Sequence, residues 1–239
     1  MSGIEDDNRM DFRDRHVVVT GGAGALGTAV VAMLARAGAI CHVPCHNEAE
    51  AERFRPRAPA RTNIVVTGDL AREPAVAAFY GAIAPLWASI HIAGGFAASP
   101  FRDADEVAIR RQIDMNFVSC ALCCRAAVRA MTGGGRIVNV SARPGLEWRS
   151  GAGMVAYAAS KAAVAALTAA LAEEVAAQDI LVNAVAPSTI DTAANRAAMP
   201  NADFAKWPKP EEIAATITFL ASPDNRVTRG GVVPVYGKS

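Results

Sequence analysis

Net charge of one sign is nearly missing from this chain, in which 24 lysines and arginines face 23 aspartates and glutamates. That balance excludes the basic stripe of a nucleic-acid or membrane-surface protein. The opening stretch, Met1 to Arg15, has no apolar run, which excludes a secretory signal there. No later stretch is expected to reach the length of a membrane span, because Glu173 and Glu174 close the most apolar helical pattern, Ala162 to Ala172. Residues 1–14 are expected to form a flexible tail. Cysteine is scarce and odd in number, at five, which argues against a disulfide framework and for a reducing cytoplasm. The run Cys41-His42-Val43-Pro44-Cys45-His46 lacks a second ligand pair at zinc spacing, so no metal is expected. Cys120, Cys123 and Cys124 fall together on a predicted helix and read as small core or interface residues. Linkers, repeats and low-complexity tracts are also missing. With 52% apolar residues, the 239-residue chain is expected to form one domain, 1–239.

What is present is a regular alternation. Short β-branched runs are predicted as strands at His16–Thr20, Ala39–Val43, Asn63–Thr67, Ser89–Ala93, Arg136–Val140, Ile180–Val185 and Gly231–Val235. Helical patterns lie between them, near Ala25–Ala37, Glu48–Phe54, Pro74–Ile83, Asp105–Met131, Met154–Gln178 and Pro210–Ala221. Strands separated by helices predict right-handed βαβ units and an α/β fold, a Rossmann-type doubly wound parallel sheet of about seven strands. Continuous apolar strands such as Val17-Val18-Val19 fit a sheet covered on both faces.

Two motifs carry chemistry. The first strand runs into Thr20-Gly21-Gly22-Ala23-Gly24-Ala25-Leu26-Gly27, with a helical pattern directly after it. A glycine-rich turn between strand and helix lets backbone N–H groups and the helix N-terminus approach a pyrophosphate. The second motif is Tyr157-Ala158-Ala159-Ser160-Lys161, where residues four apart share one helix face. An ammonium about 4 to 6 Å from a phenol is expected to lower the phenol's pKa by roughly one to three units. That would poise a proton for carbonyl reduction, so Tyr157 is read as general acid and base, assisted by Lys161.

With these motifs in this order, the sequence resembles the short-chain dehydrogenase/reductase family from His16 to Val235. The resemblance implies an NAD(P)-dependent oxidoreductase passing hydride between the cofactor and a small carbonyl or alcohol. It implies a dinucleotide held by Gly21, Gly22, Gly24, Leu26 and Gly27, and by Asp69-Leu70 at the adenine. Ala93-Gly94, Pro187, Ile190 and Thr192 would line the nicotinamide side, with Tyr157 and Lys161, which also binds the ribose. Asn116 resembles the helix asparagine that holds a proton-relay water near the lysine. A homodimer or homotetramer is also implied, with contacts through the helices around Asn116 and Tyr157. The alternative is a dinucleotide-sensing or binding protein of the same fold without turnover.

The sequence departs from that pattern in places. His91-Ile92 replaces an Asn-Asn pair, so the sheet bracing that pair supplies is expected from elsewhere. Ser188 replaces a glycine after Pro187. At the family's usual distance before the tyrosine stands Pro144, not the serine that would hydrogen-bond the substrate oxygen. Ser141 is then either that donor or a structural cap, with Ala142 in the second serine's place. At the end of the second strand, Cys45-His46-Asn47 offers no acid before Glu48 to repel a 2′-phosphate. NADP is expected, with NAD as the alternative and with His46 and Arg53 as candidate phosphate partners. Ala142–Gly153 and Ser188–Pro208, with Met199, Phe204 and Trp207, are expected either to shape the substrate pocket or to cover the sheet edge.

Overall fold

A computed structural model describes residues 10–239. Residues 1–9 of the expected tail lie outside the described residues. The remainder of that tail is docked, contrary to the expectation. Phe12 is fully buried, and its N–H donates to Ala37 O at 2.9 Å, because the aromatic ring completes the apolar floor under the first helix.

The chain alternates strand and helix. It runs β1 (His16–Thr20), α1 (Ala25–Arg36), β2 (Ile40–Cys45), α2 (Glu48–Phe54), β3 (Thr62–Val66), α3 (Glu73–Gly81) and β4 (Leu86–His91). The second half runs α4 (Glu106–Ile113), α5 (Ser119–Ala130), β5 (Gly135–Val140), α6 (Arg143–Leu146), α7 (Val155–Glu174), β6 (Ile180–Pro187), α8 (Ala193–Ala198), α9 (Pro210–Ala221) and β7 (Val232–Val235). All seven strands are parallel in the order β3-β2-β1-β4-β5-β6-β7. The order reverses between β1 and β4, which opens a crevice at their carboxyl ends, the place where such sheets bind ligands.

Side-chain alternation assigns the two faces. Val17 and Val19 of β1 pack with Val30, Leu34, Ile213 and Ile217 of α1 and α9. Val18 points the other way, into a core with Phe79, Cys123, Ile137 and Val164 from α3, α5, β5 and α7. Both faces are therefore covered, as the continuous apolar strands require.

The strand limits shift from the expected ones for identifiable reasons. β2 continues through Pro44 to Cys45, whereas Val43 was the expected end. β1 pairs with it only as far as His42, so beyond that point Pro44 faces a sheet partner on one side alone. β4 begins at Leu86 and stops at His91, and the chain leaves the sheet toward Gly94 and Gly95. The expected helix Asp105–Met131 is interrupted by a π-helical turn at Asp114–Val118. The helix Val155–Glu174, at 20 residues, is long and apolar enough to cross a membrane, contrary to the expectation that no stretch reaches that length. Here it packs on β6 and buries Lys161 and Thr168 against the sheet.

Candidate active site

The glycine turn is shaped by contact. Gly21 has φ +68°, and a Cβ there would meet Ala93 N at 2.7 Å. A Cβ on Gly22 would meet Val43 at 2.9 Å, and one on Gly27 would run into the Gly21 carbonyl and lie 2.6 Å from Gly22 Cα. These three glycines close the strand-to-helix turn. Gly24 differs, because its φ is −76° and a Cβ there would touch only Gly21 O, at 3.3 Å. Neither conformation nor internal packing demands a glycine at that point. Gly24 is the N-cap of α1 and provides no side-chain cap, so the first-turn N–H groups stand bare beside a residue kept small on its outer side. That cradle fits a dinucleotide pyrophosphate. Leu26, named with the turn, is buried in the core beneath it.

At the end of β2 the adenosine end of such a ligand would meet an exposed His46. Asn47 caps α2 by accepting from Glu50 N at 2.9 Å, and Glu50 Oε2 accepts from His46 N at 2.7 Å. Arg57, absent from the sequence reading, reaches the turn itself: its guanidinium donates to Ala23 O at 3.4 Å. No ion-pair partner for it occurs among the described residues, whereas nearby Arg55 is held by Glu48 at 2.6 Å. Asp69 lies beyond the end of β3 and accepts from Ala71 N at 2.8 Å, while Leu70 packs toward the α3–α5 core.

Beyond β4, Ala93 N donates to Thr20 Oγ1 at 3.2 Å, tying this segment to the glycine turn. A Cβ on Gly94 would lie 2.5 Å from Asn116 Oδ1 and 3.4 Å from Lys161 Nζ, so Gly94, Asn116 and Lys161 are brought together. The Asn116 side chain is occupied: Oδ1 accepts from Gly95 N at 2.9 Å, and Nδ2 donates to Gly95 O at 3.0 Å and Gln112 Oε1 at 3.3 Å. Its amide braces the Gly94-Gly95 segment and leaves little capacity for the relay water expected of it.

Tyr157 and Lys161 sit one turn apart near the start of α7. The Tyr157 ring is half-buried, edge-on to Phe96 at 5.0 Å, and its hydroxyl has no hydrogen-bond partner among the described residues. Lys161 is buried, and Nζ donates to Val140 O at 2.9 Å. The expected lowering of the tyrosine pKa is not found. Burial pushes the Tyr157 phenol up to about 12. Burial also pushes the Lys161 ammonium down to about 8, against a smaller upward pull from Cys120. In a water-poor site, the cost of desolvating each charge exceeds what one gives the other. Ser141 lies on the floor of the site, buried, and its Oγ donates to Lys161 O at 2.8 Å.

On the far side β6 ends at Pro187. Ser188 Oγ donates to Tyr236 O at 2.9 Å, Ile190 O accepts from Asn195 Nδ2 at 2.8 Å, and Thr192 Oγ1 caps α8 by accepting from Asn195 N at 3.2 Å. Phe204 and Trp207 pack on each other at 5.0 Å, and Arg196 lies over Phe204 at 4.9 Å. Where Asn-Asn was replaced, His91 does the bracing itself. Its Nδ1 meets Asn139 Oδ1 of β5 at 2.8 Å and its Nε2 meets Ser89 Oγ at 2.8 Å.

A sequence model of the short chain dehydrogenase family matches residues 15–203. The cis-4-hydroxycyclohexanecarboxylate dehydrogenase of Sinomonas cyclohexanicum is 34% identical, across 95% of this chain and 96% of the relative. The galactitol 2-dehydrogenase of Rhizobium johnstonii is also 34% identical, across 91% of this chain and 92% of the relative. A Beutenbergia cavernae protein described as an NAD(P) dependent gluconate 5-dehydrogenase was solved with NADP bound at low occupancy. It has a TM-score of 0.86 at 29% identity, covering 95% of this chain and 97% of that one.

Proposed function

Because the chain belongs to the short-chain dehydrogenase family, we propose that Tyr157 is the proton donor and acceptor of its reaction. The enzyme is an NAD(P)-dependent oxidoreductase acting on a small carbonyl or alcohol. The observation that carries the Tyr157 assignment is its hydroxyl, unpartnered among the described residues and one helical turn from Lys161, whose Nζ lies beside Gly94. When bound, the nicotinamide supplies or removes the hydride. In reduction the carbonyl oxygen takes the Tyr157 proton, and in oxidation Tyr157 receives the alcohol proton. Burial, which pushes its pKa up to about 12, keeps Tyr157 protonated in the neutral range before the cofactor binds. Lys161 positions α7 through Val140 O and presents its charge beside Gly94, where a ribose hydroxyl would lie. Asn116 holds the Gly94-Gly95 wall, and Ser141 serves the scaffold by fixing the Lys161 carbonyl. Thr192 acts through the start of α8, which it caps.

NADP is the preferred dinucleotide in this reading. No aspartate stands at the end of β2, the nearby carboxylates are engaged (Glu48 by Arg55 and Glu50 by His46 N), and the Arg57 guanidinium at the glycine turn supports a grip on a 2′-phosphate. His46 and Arg53 are further candidate partners. Replacing Arg57 with alanine should raise the KM for NADPH at least tenfold while moving that for NADH less than twofold. Equal changes would place the 2′-phosphate elsewhere.

The substrate in this reading is a secondary alcohol or its ketone, in line with the named activities of the relatives. The test is a turnover panel of hydroxycyclohexane carboxylates, alditols and simple ketones with both dinucleotides. No turnover on any of them would remove the secondary-alcohol reading. The assembly is a homodimer or homotetramer, supported by the exposed Val155 at the start of α7 and the exposed Trp148 just before it, and checked by light scattering. All five cysteines are free and buried, which supports a reducing cytoplasmic setting.

A further inference from the structure

Beneath the Gly94 wall, three soft ligands converge that the reaction does not use. His91 stands at the end of β4, and Cys120 and Cys124 lie one turn apart on α5. Their ligand atoms lie within 4.8 Å of one another, and all three residues are buried. The Cys124 Sγ to His91 Nδ1 distance is 3.4 Å. Ligands of a tetrahedral zinc centre, with bonds of about 2.0 to 2.3 Å, stand roughly 3.3 to 3.8 Å apart.

The polar groups of this cluster converge on one oxygen. Asn139 Oδ1 of β5 is met by His91 Nδ1 at 2.8 Å, Cys120 Sγ at 3.3 Å and Cys124 Sγ at 3.4 Å. The amide is held in this orientation. Thr168 Oγ1 gives its proton to Val164 O and so must accept from Asn139 Nδ2, at 2.9 Å. His91 and both thiols thus converge on one carbonyl oxygen, with Cys124 also lying against His91. On the other side of the imidazole, Nε2 faces Ser89 Oγ at 2.8 Å, with Tyr80 OH beside it at 3.3 Å.

We propose that His91, Cys120 and Cys124 form a buried site for a soft or borderline divalent cation, Zn²⁺ in type, with Asn139 Oδ1 facing the same point. The balance is simple: one cation enters, two thiol protons leave, and the histidine remains neutral. Its Nδ1 lone pair turns to the metal while its ring proton moves to Nε2, where Ser89 Oγ accepts it. That hydroxyl is the outer partner which fixes a ligating histidine's tautomer. Two thiolates neutralise the cation. The bound cation would join β4, β5 and α5 directly under the Gly94 segment.

Co²⁺ alone is the probe, introduced by growth in cobalt-supplemented medium and by equilibrating the reduced, purified chain without dinucleotide. The result is independent of the role given to Tyr157. The expected result is about one Co²⁺ per chain, with sulfur-to-cobalt charge-transfer absorption and the strong visible bands of a tetrahedral site. Cys41→Ser with Cys45→Ser, and separately Cys123→Ser, should leave the spectrum unchanged. Cys120→Ser with Cys124→Ser should abolish it, and His91→Asn should weaken binding at least tenfold. The wild-type spectrum decides even where a variant fails to fold. Sub-stoichiometric uptake, or cobalt bound without charge-transfer bands, would overturn the proposal. So would a spectrum that survives in the folded Cys120/Cys124 double variant.

Discussion

The Ser141 hydroxyl donates to the carbonyl of Lys161 at 2.8 Å, so the last turn of the sheet floor is fastened to the helix that carries the reactive pair. Ser141 and Gly145 close over this bond, since a Cβ on Gly145 would lie 2.8 Å from Ser141 Oγ. A proton given to a helix carbonyl is not available to a substrate. Ser141→Ala should therefore cost about 1 kcal/mol of stability and leave kcat within about threefold of the parent. A drop of 10² to 10³, the usual loss for an oxyanion donor, would show that the hydroxyl turns to the substrate during turnover. Thermal melts and steady-state kinetics on one variant separate the two.

Tyr157→Phe removes a hydroxyl but keeps the ring against Phe96. The fold and dinucleotide affinity should be preserved, with turnover falling by roughly 10² to 10⁴. Stopped-flow reduction at saturating substrate would check this, and wild-type rates would remove Tyr157 from the chemistry.

Lys161 should be costly to the fold. Its folded pKa of about 8 lies below the ordinary 10.5, so the unfolded chain binds the proton more tightly. Stability from this group is therefore lowest below pH 8 and rises as pH climbs from about 8 toward 10.5. Lys161→Met should raise stability at pH 7 by about 1 to 3 kcal/mol while abolishing turnover. That advantage should shrink above pH 8. Denaturant melts at pH 6, 7, 9 and 10 read the trend, and a pH-independent difference would contradict it.

The glycine turn allows a paired test. Gly27→Val should damage the fold and binding together, because the side chain meets the Gly21 carbonyl. Gly24→Ala should fold normally, its Cβ touching only Gly21 O at 3.3 Å, yet weaken NADPH binding by roughly tenfold or more. Unaltered affinity in a folded Gly24→Ala protein would move the pyrophosphate off this helix.

The layered fold was readable because it rests on local signals. Short apolar, β-branched runs between helical patterns marked all seven strands, and the glycine turn and the Tyr157–Lys161 spacing each lie within a few residues of sequence. What escaped was whatever depends on distant approach. Arg57 meets Ala23 across 34 residues, and Cys124 meets His91 across 33. The direction of the Tyr157 pKa was misjudged because spacing reveals a neighbouring charge but not how little water surrounds both. The break in the Asp105–Met131 helix left no trace either, since its residues carry no proline or glycine.

That break has a consequence for how the chain can change. At Asp114–Val118 the Ser119 N–H reaches back five residues to the Asp114 carbonyl, so one residue more than an ordinary turn is wound in. Each residue rotates a helix by about 100°, so the turn acts as a phase shifter between α4 and α5. Upstream of it lies Gln112, bonded to Asn116 within the turn, and downstream the helix presents Cys120 and Cys124 to His91. Deleting a single residue here would make a more regular helix and a poorer protein, with one of these two clock faces turned out of register. Length is constrained in this segment alongside the side chain of Asn116.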